Sequence, residues 1–178
     1  MAHAPAVGDL APDFTLPGTS PHAGEGDYTL SAERGHPVVL AFYPGDETPV
    51  CTRQLCSYQN DLSVLTGLQA TLWGISSQGI GSHKSFQANR GLTFPLLADT
   101  ENKVFAAYGL GLGLARRRAL FVVDADGHIA YAHVHRLGLT YQKVDEIAEV
   151  LRGLPAPTAY PAESTTTRKG RGARNVNG

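Results

Sequence analysis

An uninterrupted β-rich apolar run, PVVLAFY (Pro37–Tyr43), is fenced by His36-Pro37 before it and Pro44-Gly45 after it. A strand with no polar position offers no face to water, so it reads as an interior strand of a sheet. A second such run, QATLWGIS (Gln69–Ser76), lies beyond a stretch of helical periodicity, and PDFTL near the N-terminus reads as a further strand. SHKSFQANRG predicts a helix ended by Gly91, ENKVFAAYG a short one ended by Gly109, and QKVDEIAEVLRG a closing amphipathic helix with Gly153 beyond it. RALFVVDADGHIAYAHV reads as two strands joined at Asp126-Gly127, a hairpin signal. Strands alternating with helices, then a hairpin and a last helix, predict an α/β sandwich with a mixed central sheet flanked by helices.

A chain of 178 residues, 42% hydrophobic and 17% charged, buries one core, and a single domain over residues 1–154 is expected. The remainder, residues 155–178, is rich in Gly and Thr and lacks apolar periodicity. From Thr165 it carries Arg168, Lys169, Arg171 and Arg174 without an acid, and is expected to be a disordered basic tail. The net charge of −1 argues against a general nucleic-acid binder. No apolar run approaches the roughly 18 residues of a membrane span, and the N-terminus lacks a basic segment followed by an apolar one. A cytoplasmic protein is therefore expected. There, two cysteines are too few for a disulfide scaffold and point instead to catalysis, redox sensing or metal binding.

Both cysteines fall within YPGDETPVCTRQLC, directly behind the first apolar run. Thr48 is a good N-cap and Pro49 suits the first helical position. Beyond them Cys51, Leu55, Tyr58, Leu62 and Leu65 form one apolar stripe at helical spacing. Cys51 is then the third helical residue, where unpaired N–H groups and the helix dipole present positive potential. A thiolate is favoured in that position, and the stripe puts its sulfur at the floor of a shallow pocket. Cys56 is about 500° further round, roughly 140° off the stripe, with its Cα about 8.7 Å from that of Cys51. A disulfide tolerates no more than about 7 Å. Pairing the two therefore requires the first turns to unwind.

These residues resemble the peroxiredoxins, specifically the bacterioferritin-comigratory or peroxiredoxin Q branch. The family signature Pro-x-x-x-Thr-x-x-Cys is matched by Pro44, Thr48 and Cys51, and the branch's second cysteine by Cys56. VGDLAPDFTL, VVLAFYPGDETPVCT, FPLLAD and RALFVVDADGHI are also similar, so the resemblance spans about Val7 to Gly153. It implies a thioredoxin-like fold, Cys51 as the peroxidatic cysteine and Arg118 as the arginine brought to its sulfur. Thr48 would donate to the substrate and Pro44 would shield the site. It further implies hydrogen peroxide and organic hydroperoxides as substrates, a Cys51–Cys56 disulfide as intermediate, and a thioredoxin-like dithiol as reductant. No metal, flavin or haem is required, and a monomer or weak homodimer is expected. Two positions depart from the family: Gln54 stands where most relatives have Glu, and Ala119 where Ser or Thr is common.

Each residue also has a plainer reading. Thr48 serves equally as a simple cap, and Arg116 and Arg117 as a solvated loop. GLGLG (Gly109–Gly113) lacks the Gly-x-Gly-x-x-Gly spacing of a nucleotide site. His133 and His135 share a strand face and read as surface histidines rather than zinc ligands, while Tyr43 and Trp73 read as core. Two further functions compete with a peroxidase. A disulfide oxidoreductase acting on proteins would usually show Cys-x-x-Cys, which is missing here. A non-catalytic thiol redox sensor on the same scaffold would have identical cysteines, and a rate measurement separates it from an enzyme.

Overall fold

The computed structural model describes residues 3–111, 117–135 and 140–155. The run Val38–Phe42 forms β3, and every one of its residues is buried. Its alternation serves two cores. Val39 and Ala41 point to one side, where they meet Cys51, Leu55 and Tyr58 of helix α1 (Pro49–Asn60) and Ile147 and Leu151 of helix α5 (Val144–Arg152). Val38, Leu40 and Phe42 point to the other, where Phe105 of the short helix α4 (Lys103–Ala107) and Trp73 lie. Phe42 meets Phe105 and Phe121 edge-on, with ring centres 5.2 and 5.9 Å away, a favoured geometry for buried aromatic pairs.

The other strands are β1 (Thr15–Ser20), β2 (Gly24–Thr29), β4 (Thr71–Ser76), β5 (Leu96–Ala98), β6 (Ala119–Val123) and β7 (Ile129–Val134). They join β3 in one mixed sheet of order β2-β1-β5-β4-β3-β6-β7. β4 runs parallel to β3 and to β5, and the remaining pairs are antiparallel. The α/β sandwich read from the sequence is thus the observed architecture. Gly74 permits the β4–β5 approach, because a Cβ there would stand 2.6 Å from a Leu96 methyl.

Three details differ from the sequence reading. GEGDYT forms β2, an edge strand whose glycines and acids gave no strand signal; its outer residues are exposed, as an edge that resists further pairing must be. FPLLAD supplies β5, only three residues long but paired on both sides. The stripe from Cys51 to Leu65 is divided at Asp61, where α1 stops and α2 (Leu62–Gly67) begins. Leu65 nevertheless stays in the core shared with Cys51. Helix α3 (Ile80–Arg90) ends at Gly91 in the left-handed region, φ 65°, as predicted. The basic tail from residue 156, Arg116, and Leu112 and Gly113 of GLGLG lie outside the described residues.

Candidate active site

Tyr43 closes β3 with a ladder bond from its N–H to the Ile75 carbonyl, at 3.0 Å. Half-buried Pro44 turns the chain out of the sheet, and five residues later Pro49 opens α1. Cys51 is therefore the third helical residue, as the sequence predicts. Thr48 occupies the N-cap position with extended dihedrals, but its hydroxyl does not cap the helix. It donates backward to the Gly45 carbonyl, at 3.2 Å. The first turn also holds no acidic side chain, so the positive end of the helix is left for the Cys51 sulfur. That sulfur is more enclosed than a pocket floor, since Cys51 is 1% exposed.

Arg118 reaches it through the sheet. β6 pairs antiparallel with β3 up to Phe42↔Ala119, and one step further the register puts Arg118 opposite Tyr43. Its Nη2 donates to Cys51 Sγ at 3.2 Å. Its Nη1 donates to Gln54 Oε1, so the neutral residue at this position still tethers the guanidinium. Gln54 Nε2 in turn donates to the Tyr58 hydroxyl at 3.1 Å, which donates to the Gln142 carbonyl at 2.9 Å. Burial raises the Tyr58 phenol above its ordinary range. One hydrogen-bonded chain thus runs from the sulfur through Arg118, Gln54 and Tyr58 to the segment preceding α5. Sequence reasoning noted Gln54 only as a departure and Tyr58 only as core. Their i, i+4 spacing was the available signal.

Cys56 is half-buried on the same helix, and both thiols are free. With both residues inside the continuous helix α1, the Cα separation of about 8.7 Å given by helical geometry applies. His135 is not a surface residue as the sequence suggested. It is buried beside Arg118, its backbone N–H donating to the Arg118 carbonyl at 2.9 Å and its ring Nδ1 3.0 Å from the Thr140 hydroxyl. Burial, then the charges of His133 and Arg118, push its imidazole down to about 4. The His133 ring centre lies 4.4 Å from that of His135. Among the described residues no group of three or more His, Cys, Asp or Glu is arranged to hold a metal. Trp73 is core, and so is Tyr43, although its hydroxyl donates to Asp46 at 2.7 Å.

A buried thiol at an uncapped helix start, met by a guanidinium delivered from a neighbouring strand of a thioredoxin-like sheet, defines the site of a thiol-based redox protein. Residues 7–132 match the model of the AhpC/TSA family. The rice protein Peroxiredoxin Q, chloroplastic (Oryza sativa subsp. japonica) is 34% identical over 148 residues, 82% of this chain. The match spans 64% of the rice protein, so the chain covers less than two thirds of that relative's length. A Coxiella burnetii relative bearing the name bcp is 35% identical over 133 residues, 70% of this chain and 85% of that protein. Among solved structures, Peroxidoxin BcpB from Mycobacterium tuberculosis superposes with a TM-score of 0.74 at 28% identity, covering 85% of this chain and 99% of that one. The chain belongs to the AhpC/TSA family of peroxiredoxins, and its relatives put it on the peroxiredoxin Q/bcp branch.

Proposed function

We propose that the protein is a thiol-dependent peroxidase that reduces hydrogen peroxide and organic hydroperoxides and is recycled by a thioredoxin-like dithiol. The observation that carries this reading is the 3.2 Å contact between Arg118 Nη2 and Cys51 Sγ, made where both residues are 1% exposed. In so dry a place a guanidinium acts strongly on any charge that develops at the sulfur or at an oxygen it attacks.

Cys51 is the peroxidatic residue. Its thiolate attacks the terminal oxygen of the hydroperoxide; an S–O bond forms as the O–O bond breaks, and the electron pair leaves on the departing oxygen, which takes up a proton. The sulfur is left as a sulfenic acid. Arg118 faces the charge as it moves from sulfur to oxygen. Thr48, exposed at the helix start, meets the substrate when its hydroxyl leaves the Gly45 carbonyl, and Pro44 shields the site without adding an N–H. Cys56 then attacks the Cys51 sulfur, an S–S bond replaces the S–O bond, and water is released. An external dithiol reduces the disulfide by exchange, becoming a disulfide itself. No metal or organic cofactor takes part.

Residues 1–154 are read as the functional unit and residues 155–178 as a solvated basic appendage, in a cytoplasmic protein. No described helix is long and apolar enough to cross a membrane. A monomer or weak homodimer fits the surface: among the described residues the large exposed apolar side chains are Val7 and Leu10, too little for an obligate interface. Peroxide-dependent NADPH oxidation in the presence of thioredoxin and its reductase tests the reading. Turnover that vanishes in Cys51→Ser supports it, and wild-type consumption no faster than the protein-free mixture overturns it.

A further inference from the structure

The loop between β3 and α1 is gripped by a buried polar cluster that the peroxide chemistry does not use. The Asp46 carboxylate accepts from the Tyr43 hydroxyl at 2.7 Å, from the Ser82 hydroxyl at 2.6 Å and from His83 Nδ1 at 2.8 Å. Its backbone N–H donates to Gln78 Oε1 at 3.0 Å. His83 is fully buried, and its Nε2 lies 3.1 Å from the Leu97 carbonyl oxygen. A carbonyl only accepts, so Nε2 carries a hydrogen. Burial by itself raises the Asp46 carboxyl, but the bond and charge of His83, then the bonds from Ser82 and Tyr43, outweigh it and hold the group below its ordinary value. Asp46 is therefore the acceptor of the cluster, and Nδ1 lies against its carboxylate.

His83 thus ties three pieces together: α3, which carries it; β5, through Leu97; and the loop, through Asp46. The next loop residue is gripped by the same helix. Glu47, in the left-handed region at φ 59°, accepts from Arg90 at 2.6 Å and from Asn89 at 3.0 Å. A buried polar pair adds little net stability compared with apolar packing, which turns attention to what it positions. The first turn of α1 is held differently. It has no side-chain cap, and Arg118 reaches it through the Cys51 sulfur. Disulfide closure draws that sulfur toward Cys56. The loop is anchored independently of the thiol, whereas the helix start is anchored through it.

We propose that Asp46 and His83 are positioning residues for the thiol cycle, clamping Gly45–Thr48 to α3 and β5 so that disulfide closure unwinds α1 from Pro49 onward and leaves the loop in place. The inference rests on the Cys51–Cys56 pairing proposed above. The clamped loop is the fixed edge on which the helix re-forms after reduction, which returns Cys51 to Arg118. Weakening the clamp therefore slows the peroxide step, which needs the folded site, and speeds closure, which needs the unfolded one.

Two substitutions of similar size separate the clamp from mere packing. In His83→Asn the amide nitrogen takes the place of Nδ1 and still donates to Asp46; in His83→Gln it takes the place of Nε2 and serves only Leu97. Stopped-flow oxidation should show His83→Gln forming sulfenic acid about tenfold more slowly and closing the disulfide several-fold faster, with His83→Asn within about twofold of wild type, as expected for loss of a charge-assisted bond. Hydrogen exchange resolved to single amides, on protein oxidised by diamide, supplies a readout independent of peroxide. The Asp46 amide should stay protected in wild type while Cys51–Tyr58 lose protection, and should lose it in His83→Gln. Equal effects of the two variants, or loss of Asp46 protection in oxidised wild type, overturn the clamp. Should either variant fail to fold, Tyr43→Phe removes one Asp46 donor without a cavity, and unchanged rates there overturn it equally. Failure of diamide to join Cys51 to Cys56 defeats the inference along with the resolving role. A wild type that forms the disulfide yet reduces no peroxide defeats the peroxidase reading alone.

Discussion

Arg118 and Cys51, 67 residues apart in the chain, meet with Nη2 3.2 Å from Sγ because β6 lies antiparallel beside β3. The contact joins the residue before β6 to the first turn of α1, so sheet register places the guanidinium and the helix start places the sulfur. Replacing Arg118 by Met keeps most of the side chain's length while removing the charge. Peroxide reduction should fall by about 100- to 1,000-fold, the usual cost of one donor facing developing charge. Arg117→Met, at the exposed neighbouring position, should change it by less than about twofold. Stopped-flow oxidation of both variants checks this, and equal effects would reject the special role of Arg118.

Gln54 accepts from Arg118 Nη1 and donates to the Tyr58 hydroxyl, so it orients the guanidinium without touching the substrate. Gln54→Met leaves the charge in place but frees its direction. A hydrogen bond to a charged group contributes about 1.5–3 kcal/mol, which sets an upper range of roughly ten- to a hundredfold on the rate. The loss should be smaller than in Arg118→Met. Single-turnover peroxide kinetics of the two variants provide the comparison, and a Gln54→Met enzyme as fast as wild type would show that packing alone directs Arg118.

His135 gives the fold a pH dependence of definite sign. Its imidazole is held neutral down to about 4, by burial first and then by His133 and Arg118, whereas in the unfolded chain it protonates near ~6.5. Between those values the unfolded state binds the extra proton. The stabilising contribution is present above pH ~6.5 and is lost as pH falls toward ~4. His135→Asn, which retains a group able to bond Thr140, should show a shallower decline in Tm across that window than wild type. Carboxylates titrating at the lower end are common to both proteins and cancel in the comparison. Parallel curves would mean that His135 is protonated in the native state.

Much of this arrangement is written locally, and the rest is not. PVVLAFY and the Pro49 helix start follow from apolar runs and cap chemistry, which act over a few residues, and both stand as read. β2 was hidden because an edge strand does not need the apolar residues that announce a central one. Thr48 holds the position of a cap while its hydroxyl turns to Gly45, a choice of rotamer that residue type does not encode. Arg118 was legible only through family resemblance, since nothing in spacing ties it to Cys51. The Asp46–His83 pair, 37 residues apart, had no signal at all: a lone acid in a turn and a lone histidine on a helix look like solvated residues until the sheet brings α3 under the loop.

The five-residue gap between the cysteines makes the last prediction. Cys51 and Cys56 share the continuous helix α1, and its geometry keeps their Cα atoms about 8.7 Å apart, beyond the roughly 7 Å a disulfide allows. If Cys56 resolves the sulfenic acid, the oxidised protein must lose helix between them, and with it the Arg118 contact to Cys51 and the Gln54–Tyr58 bond. The peroxide step precedes this and does not use Cys56. Cys56→Ser should therefore consume about one equivalent of peroxide at the wild-type rate and then stall as sulfenic acid or over-oxidise. Mass spectrometry of peroxide-treated wild type should find the two cysteines joined within one chain, and far-ultraviolet circular dichroism should show the loss of about two turns of helix on oxidation. Normal thioredoxin-dependent turnover by Cys56→Ser would remove Cys56 from the cycle, and an unchanged helix signal in the confirmed disulfide form would show that the strain is relieved elsewhere in the chain.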